Sequence, residues 1–570
     1  MTSLDALVFF YRFIENLPGA TLSPTPSRHT PGIFFAETPP TAVARPELLL
    51  WSSEAAQLME LPRELGPDLA VSAAQIFSGN RLPAGTRPYA TRYGGHQFGH
   101  WAGQLGDGRA LSLGELPAST PEGSSTTLAS YEIQLKGAGP TPYSRKADGR
   151  AVLRSSVREF LCSEALFYLG VPTTRALCCV TTGEAVVRDL FYDGNPKPEP
   201  GAITTRVAPS FLRFGHFEIL AAEGEIPLLR ALLQKTIEGF FPQILIDGSS
   251  QNLDEPFLIW FETVATTTRE LMIEWQRVGF VHGVMNTDNL SILGLTIDFG
   301  PYGWMEAFDP NWTPNTTDAE HRRYRFGNQP SIALWNLSRL AGAVLAACTD
   351  PSKSIARLEA TLERYRTEFR SGYLRMRARK LGFWVDSNEE FPVELATLIE
   401  ALDQLLFESQ ADMTLFYRSL AENLKAEPLT AEASTESILR RIQQSFEEES
   451  YSSHLPTPLK NRWNDWLKTW ISLSAQEQWR FRTDVPKPHE SLASYRYELM
   501  NRENPFFILR NYLVQEALDA LEVQNQEPLD RLMQALKHPY SDQEITRSYF
   551  KKRPEWAKNR PGCSALSCSS

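Results

Sequence analysis

The 570-residue chain carries 57 Lys and Arg against 68 Asp and Glu, a formal charge of −11, and 42% of its residues are hydrophobic. The length corresponds to roughly three or four domain-sized units, the apolar fraction suffices for sizeable cores, and the acidic balance speaks against a nucleic-acid partner. No apolar run approaches the roughly eighteen residues of a membrane span, so no membrane partner is expected.

Met1 to Gly19 carries Arg12 against Asp5 and Glu15. It lacks the Arg-rich, acid-poor character of a transit peptide and the basic start of a signal peptide. Six cysteines in a chain this long do not make a disulfide framework, so a reducing, cytoplasmic location is expected. A mitochondrial location finds no support in the N-terminus. Residues 1 to about 90 are Pro-rich and predict irregular structure with a helical patch at Glu47–Leu61.

From Tyr89 the composition turns to Gly and His, with Tyr93-Gly-Gly-His-Gln-Phe-Gly-His-Trp101 and then Gly106-Asp-Gly108-Arg109. Glycines let backbone N–H groups approach phosphate oxygens, and Arg109 adds a fork of donors; most such stretches are nevertheless only turns. His96 and His100 have the spacing of a helical zinc site, but Gly94, Gly95 and Gly99 argue against a helix and no third ligand is evident. Ala110–Glu115 and Tyr131–Lys136 alternate like strands, on either side of a Ser/Thr/Pro-rich loop at 116–130. Val152–Leu169 has helical spacing and carries Glu159 and Glu164. A glycine loop, a strand ending in Lys136 and a helix with a glutamate match the Lys–Glu ion pair that orients ATP phosphates in kinases. Glu159 is the preferred partner and Glu164 its rival. Asp148-Gly149 is a turn signal. Arg206 and Arg213, seven apart, could clamp phosphates, or they are surface arginines in ion pairs.

Residues 227–280 read as helical, with a loop at Asp247–Asn252. There follow His282-Gly-Val-Met-Asn-Thr-Asp-Asn289 and, after an apolar stretch read as a strand (Leu290–Ile297), Asp298-Phe-Gly300. A kinase catalytic loop runs H-R-D-x-x-x-x-N, with D-F-G shortly after. Laid on that pattern, Asn289 and Asp298 fall on the metal ligands, while the position of the catalytic Asp holds Val284, which cannot accept a proton. Mg²⁺ takes oxygen ligands from one or two side chains plus phosphates. Asp288 is the nearby carboxylate that could replace the base, or else a loop Asp bonded to its own backbone; the residues leave both open. From Ser331 to about Leu536 amphipathic helices dominate: Leu334–Ala347, Ile355–Leu381, Val393–Leu424, and Pro505–Leu521 with its proline at the first helical position. Trp463, Trp466 and Trp470 recur at helical spacing and read as core.

Taken together, Tyr93–Arg109, Gln134–Arg145, Arg154–Phe160, Arg206–Gly215, His282–Asn289 and Ile297–Pro301 resemble the selenoprotein O family of YdiU-type, kinase-fold protein adenylyltransferases. The resemblance runs from about Tyr89 to the C-terminus. It implies an ATP inverted relative to kinases, so that AMP is transferred to Ser, Thr or Tyr hydroxyls of protein substrates. It further implies nucleotide contacts from Gly106, Gly108, Arg109, Lys136, Asp148, Gly149, Arg206 and Arg213; Glu159, as the partner of Lys136, and Asp298 are counted with the same nucleotide site. Asn289 and Asp298 would hold Mg²⁺ or Mn²⁺, and Asp288 would accept the proton. Family members can pair a C-terminal cysteine with one after D-F-G. Cys568 fits the tail position, but Phe308–Asp318 contains no cysteine. Cys563–Cys568 remains as a pairing, against two exposed thiols.

The expected fold is α+β: a two-lobed protein-kinase-like fold with a large helical C-terminal extension. It divides into an irregular and helical N-terminal segment (1–88), a small lobe (89–225), a large lobe with the catalytic and metal loops (226–350), and the extension with the tail (351–570). A monomer is expected. An unorthodox kinase using Asp288 as base and an inactive nucleotide-binding scaffold are the alternatives.

Overall fold

The computed structural model describes residues 4–119, 130–189, 194–247, 254–426, 448, 450–452, 455–476 and 492–567. The two alternating segments become neighbouring antiparallel strands, β7 (Ala110–Pro117) and β8 (Ser130–Lys136), with Ala110 opposite Lys136. Most of the loop expected between them, and the loop at Asp247–Asn252 beyond its first residue, lie outside the described residues. β7 and β8 sit inside an eight-stranded sheet with β1 (Gly19–Thr21), β2 (Phe35–Glu37), β3 (Glu47–Trp51), β4 (Tyr89–Thr91), β9 (Arg175–Arg188) and β10 (Lys197–Ala208). Its order is β1-β2-β4-β7-β8-β10-β9-β3. All its pairings are antiparallel except β1 with β2. A separate hairpin, β5 (Gly94–Gln97) and β6 (His100–Gln104), lies between β4 and β7 in sequence.

The first 88 residues are less irregular than their prolines suggest, because they supply three strands of that sheet. Glu47–Leu61 in particular is not one helix. Its first five residues pair with β9, and only α1 (Ser53–Gln57) is helical, with the Ser52 side chain accepting from the Ala55 N–H. A Leu-rich pentapeptide suits helix and strand alike, and the exposed edge of β9 decides. A longer helix, α2 (Pro67–Phe77), follows.

α3 (Leu153–Tyr168) packs across β9 and β10 as expected. α4 (Phe214–Ala222), α5 (Ile226–Phe240), α6 (Gln243–Asp247) and α7 (Glu255–Val278) lead to a two-stranded pair, β11 (Phe280–Val281) with β12 (Gly303–Trp304). Between those strands Leu290–Ile297 is not a strand. It turns at Ile292–Gly294 and touches other segments through single bridges, Arg213 to Ser291 and Thr173 to Thr296. The remainder is helical: α8 (Gln329–Ala347), α9 (Pro351–Lys380), α10 (Val393–Glu408), α11 (Met413–Ala426), α12 (Thr457–Ala475), α13 (Leu492–Glu503), α14 (Asn511–Glu522) and α15 (Glu527–Leu536). The fold is thus α+β with a large helical part. No described helix is long and apolar enough to cross a membrane.

Two helical expectations change. Val393–Leu424 is broken at Ser409–Asp412, where the Asp412 carboxylate accepts from N–H groups of Thr414 and Leu415 and is gripped by Arg510 at 2.8 and 2.9 Å. Pro505 does not open a helix; α14 begins at Asn511. Proline does stand in the first turn of α2, α5, α7, α8, α9, α12 and α15, where its missing N–H leaves no partner unsatisfied.

Trp463, Trp466 and Trp470 are buried in the helical core, with Trp466 and Trp470 stacked at 6.5 Å. Trp470 is wholly buried and donates its indole N–H to the Leu381 carbonyl at 3.1 Å. We therefore expect Trp470→Ala to cost about 3–5 kcal/mol, as large-to-small core changes do, read as a drop in the urea midpoint. A loss under about 1 kcal/mol, the size of an ordinary surface change, would contradict its place in the core.

Candidate active site

Residues directly opposite in a sheet point to the same face, as do residues two apart in one strand. Lys136 faces Thr204 and Gln134 faces Arg206, so Lys136, Gln134 and Arg206 share one face. α3 brings Glu159 under that face. Its carboxylate lies 2.7 Å from Lys136 Nζ and 3.3 Å from the Arg206 guanidinium. Glu164, five residues on and about 140° round the helix, binds Arg175 and Ser52 instead. Lys136 therefore pairs with Glu159.

Asp298 closes the cluster from the other side. It contacts Arg206 at 2.6 Å, Lys136 at 3.5 Å, and Arg213 closely. Burial alone would raise its pKa, but Arg213, Arg206 and Lys136 hold it well below the usual carboxylate range. Burial lowers the Lys136 pKa, with Glu159 and Asp298 opposing. Three cations (Lys136, Arg206, Arg213) against two carboxylates (Glu159, Asp298) leave an excess of one positive charge, 3 − 2 = +1. Buried charges are costly unless paired, and such clusters mark functional sites. The Asp298 backbone is left-handed, with φ 56°, a strained conformation that aspartate tolerates better than most residues.

His282 does not face the chemistry. It is buried and donates Nε2–H to the Ile297 carbonyl at 2.8 Å, next to Asp298, while stacking on Trp275. It ties the 282–289 loop to the 298 loop. Asn289 donates its side-chain N–H to the Val284 carbonyl at 3.0 Å, which turns its amide oxygen the opposite way. One amide oxygen and one carboxylate suit a hard cation that keeps phosphate and water oxygens and do not suit zinc. No three His, Cys, Asp or Glu side chains form a metal cluster among the described residues. Asp288 is buried, which pushes its pKa up to about 6 against the pull of Gln97 and Arg213. Gln97 Nε2 donates to Asp288 Oδ2 at 3.2 Å, and Oδ1 has no partner.

These groups line one cleft of about 770 Å³, with Gly106, Gly108, Arg109, Lys136, Asp148, Gly149, Arg206, Arg213, Asp288, Asn289 and Asp298 all on its wall. Glu159 stands behind Lys136. The glycines also answer to packing. A Cβ on Gly106 would lie 2.6 Å from the Tyr143 ring, and one on Gly149 would collide with the Gly139 carbonyl. Asp148 is engaged by Arg188 at 2.7 Å. Gln97, Asp107, Arg145, Lys146, Arg188 and Asn286 line the cleft as well and were not singled out by sequence. Gln97 stands inside the Gly/His stretch, where its position was the available signal; Arg188 had none, being 40 residues from Asp148.

The histidine pair forms no metal site. His96 and His100 sit on adjoining strands, His96 Nδ1 is 2.6 Å from Glu218 and His100 is exposed. Cys563 is buried rather than an exposed thiol, and burial pushes its pKa up to about 11. Cys568, and with it any Cys563–Cys568 bond, lies outside the described residues. The tail and the cysteine-free 308–318 segment meet through backbone pairing: Leu566 N–H donates to Pro314, and Thr316 N–H to Leu566.

The family model for protein adenylyltransferase SelO matches residues 21–537. The chain is similar to proteins named protein nucleotidyltransferase YdiU. One from Nitrosospira multiformis is 47% identical over 576 residues, covering 99% of this chain and 96% of the relative. Relatives from Aromatoleum aromaticum and Tolumonas auensis are each 47% identical, with 99% of both chains covered.

The excess positive charge predicts that inorganic tripolyphosphate binds the metal-free protein, more weakly as salt rises. Lys136→Gln should weaken that binding by about tenfold or more, the lower range of a hydrogen bond to a charged group. Equal affinity for wild type and Lys136→Gln in a titration would contradict the assignment of Lys136 to the anion site.

Proposed function

The chain belongs to the SelO family and is a protein nucleotidyltransferase, and from that premise we propose that it transfers AMP from ATP to Ser, Thr or Tyr hydroxyls of other proteins. The reading takes the fold as two-lobed and kinase-like, with residues 89–225 and 226–350 flanking the cleft and 351–570 as a helical extension. ATP lies inverted relative to a kinase, with its α-phosphorus toward the acceptor.

In this reading Gly106, Gly108, Arg109, Asp148 and Gly149 contact the nucleotide. Lys136, held by Glu159, acts with Arg206 and Arg213 on the phosphates. Asn289 and Asp298 would hold Mg²⁺ or Mn²⁺, which when bound offsets phosphate charge and orients the transferring group. The acceptor oxygen attacks the α-phosphorus while its proton passes to the Asp288 carboxylate. The bond from that phosphorus to the oxygen bridging toward the β-phosphate breaks, and pyrophosphate leaves. Fixed cations stabilise charge that grows on the departing group, the largest single contribution in most such sites.

One observation carries this reading. Val284 occupies the place of a kinase base, while Asp288, four residues later, is a buried carboxylate on the wall of the cleft. Removing a general base typically costs about a hundredfold to ten-thousandfold. Asp288→Ala should therefore lose at least about a hundredfold in transfer rate with ATP binding retained, and Asp298→Ala should abolish metal-dependent transfer. Undiminished transfer by Asp288→Ala would reduce Asp288 to a structural residue, and undiminished transfer by Asp298→Ala would sink the site.

A further inference from the structure

The β5–β6 hairpin stands apart from the main sheet and is pressed onto the 286–288 loop. The His96 N–H donates to Thr287 Oγ1 at 2.7 Å, and the Phe98 N–H donates to Asn286 Oδ1 at 3.1 Å. Tyr324 fixes Asn286 from behind through a 2.6 Å hydrogen bond to the same oxygen. There is no slack in the seam. A Cβ on Gly95 would lie 3.0 Å from both Asp288 Oδ1 and Thr287 Oγ1, and one on Gly215, at the start of α4, would collide with the Gly94 carbonyl.

Strand alternation then divides the hairpin's side chains. His96 turns away from the cleft to Glu218, Trp101 and Trp335. Gln97 turns into it and reaches Asp288 Oδ2 at 3.2 Å. Arg213 holds the main-chain oxygen of Asp288 at 2.9 Å, so Gln97 is the side chain that fixes the carboxyl plane. With Oδ1 packed against Gly95 and Oδ2 held by Gln97 on the cleft side, the plane of the carboxylate is fixed.

We propose that Gln97 is a positioning residue for group transfer, its hydrogen bond to Oδ2 setting the orientation in which the Asp288 carboxylate meets the acceptor hydroxyl. The inference rests on the reading of Asp288 as proton acceptor. An amide is suited to the task. Glutamate at the same length would present an acceptor to an acceptor, and methionine would match the length without a donor. Positioning of this kind acts on the rate of the chemical step and not on nucleotide capture.

A double-mutant cycle tests it. Transfer of label from α-labelled ATP to protein is measured for wild type, Gln97→Met, Asp288→Asn and the double variant, with KM for ATP and the thermal midpoint of each; Gln97→Glu is a second probe of the position. Gln97→Met should lower kcat about tenfold to a hundredfold, the span of a hydrogen bond to a charged group, with KM for ATP and the thermal midpoint little changed. Gln97→Glu should be at least as slow. In the Asp288→Asn background Gln97→Met should cost less than about twofold, because the group it positions is gone. An equal cost in both backgrounds, a change confined to KM, or wild-type turnover by Gln97→Met would overturn the inference while leaving Asp288 as the base. Wild-type turnover by Asp288→Asn would overturn the base assignment and this inference with it.

Discussion

Three cations and two carboxylates meet at the floor of one cleft, and none of them could be buried there without the others. Each comes from a different element: Lys136 from the end of β8, Arg206 from β10, Glu159 from α3, Arg213 from the edge of α4, and Asp298 from the loop beyond Ile297. A buried ion left without its partner is destabilising by several kcal/mol. The register of β8 on β10, the seating of α3 across the sheet and the docking of the 298 loop are therefore fixed together. The left-handed backbone of Asp298 is strain of the kind that persists where surrounding structure over-determines it.

The same arrangement explains how the centre can be both stable and receptive. The carboxylates offset all but one of the positive charges, so the site is sound when empty of anions yet still attracts one. Asp298 is the pivot, since the carboxylate that contacts all three cations lines the same cleft as Asn289.

Much of this site was legible in the chain because its parts are short and contiguous. Gly106–Arg109, Lys136, Glu159, and the loop pair from His282 to Gly300 each carry their spacing with them, and the cleft gathers them. What escaped was set by distant partners. Leu290–Ile297 is an unbroken apolar run, and periodicity cannot tell a buried turn from a buried strand. Glu47–Trp51 became a strand because β9 offers it an edge. Val393–Leu424 kept its apolar stripe across a break imposed by Arg510, 98 residues away. Arg188 reached the cleft from the far end of β9, and Gln97 through the seam between the β5–β6 hairpin and the 286–288 loop. Local pattern picked out residues that gather at the cleft; long-range pairing decided the side chains that surround them.

The account turns on which phosphorus faces the acceptor. ATP labelled at either the α- or the γ-phosphate, incubated with the protein, Mg²⁺ or Mn²⁺ and a cell extract, decides it, with Asp298→Ala as the control. The account predicts that protein becomes labelled from the α-position alone and that the control abolishes the signal. Labelling from the γ-position alone would contradict it and make the chain a phosphoryl-transfer enzyme with Asp288 as a displaced base.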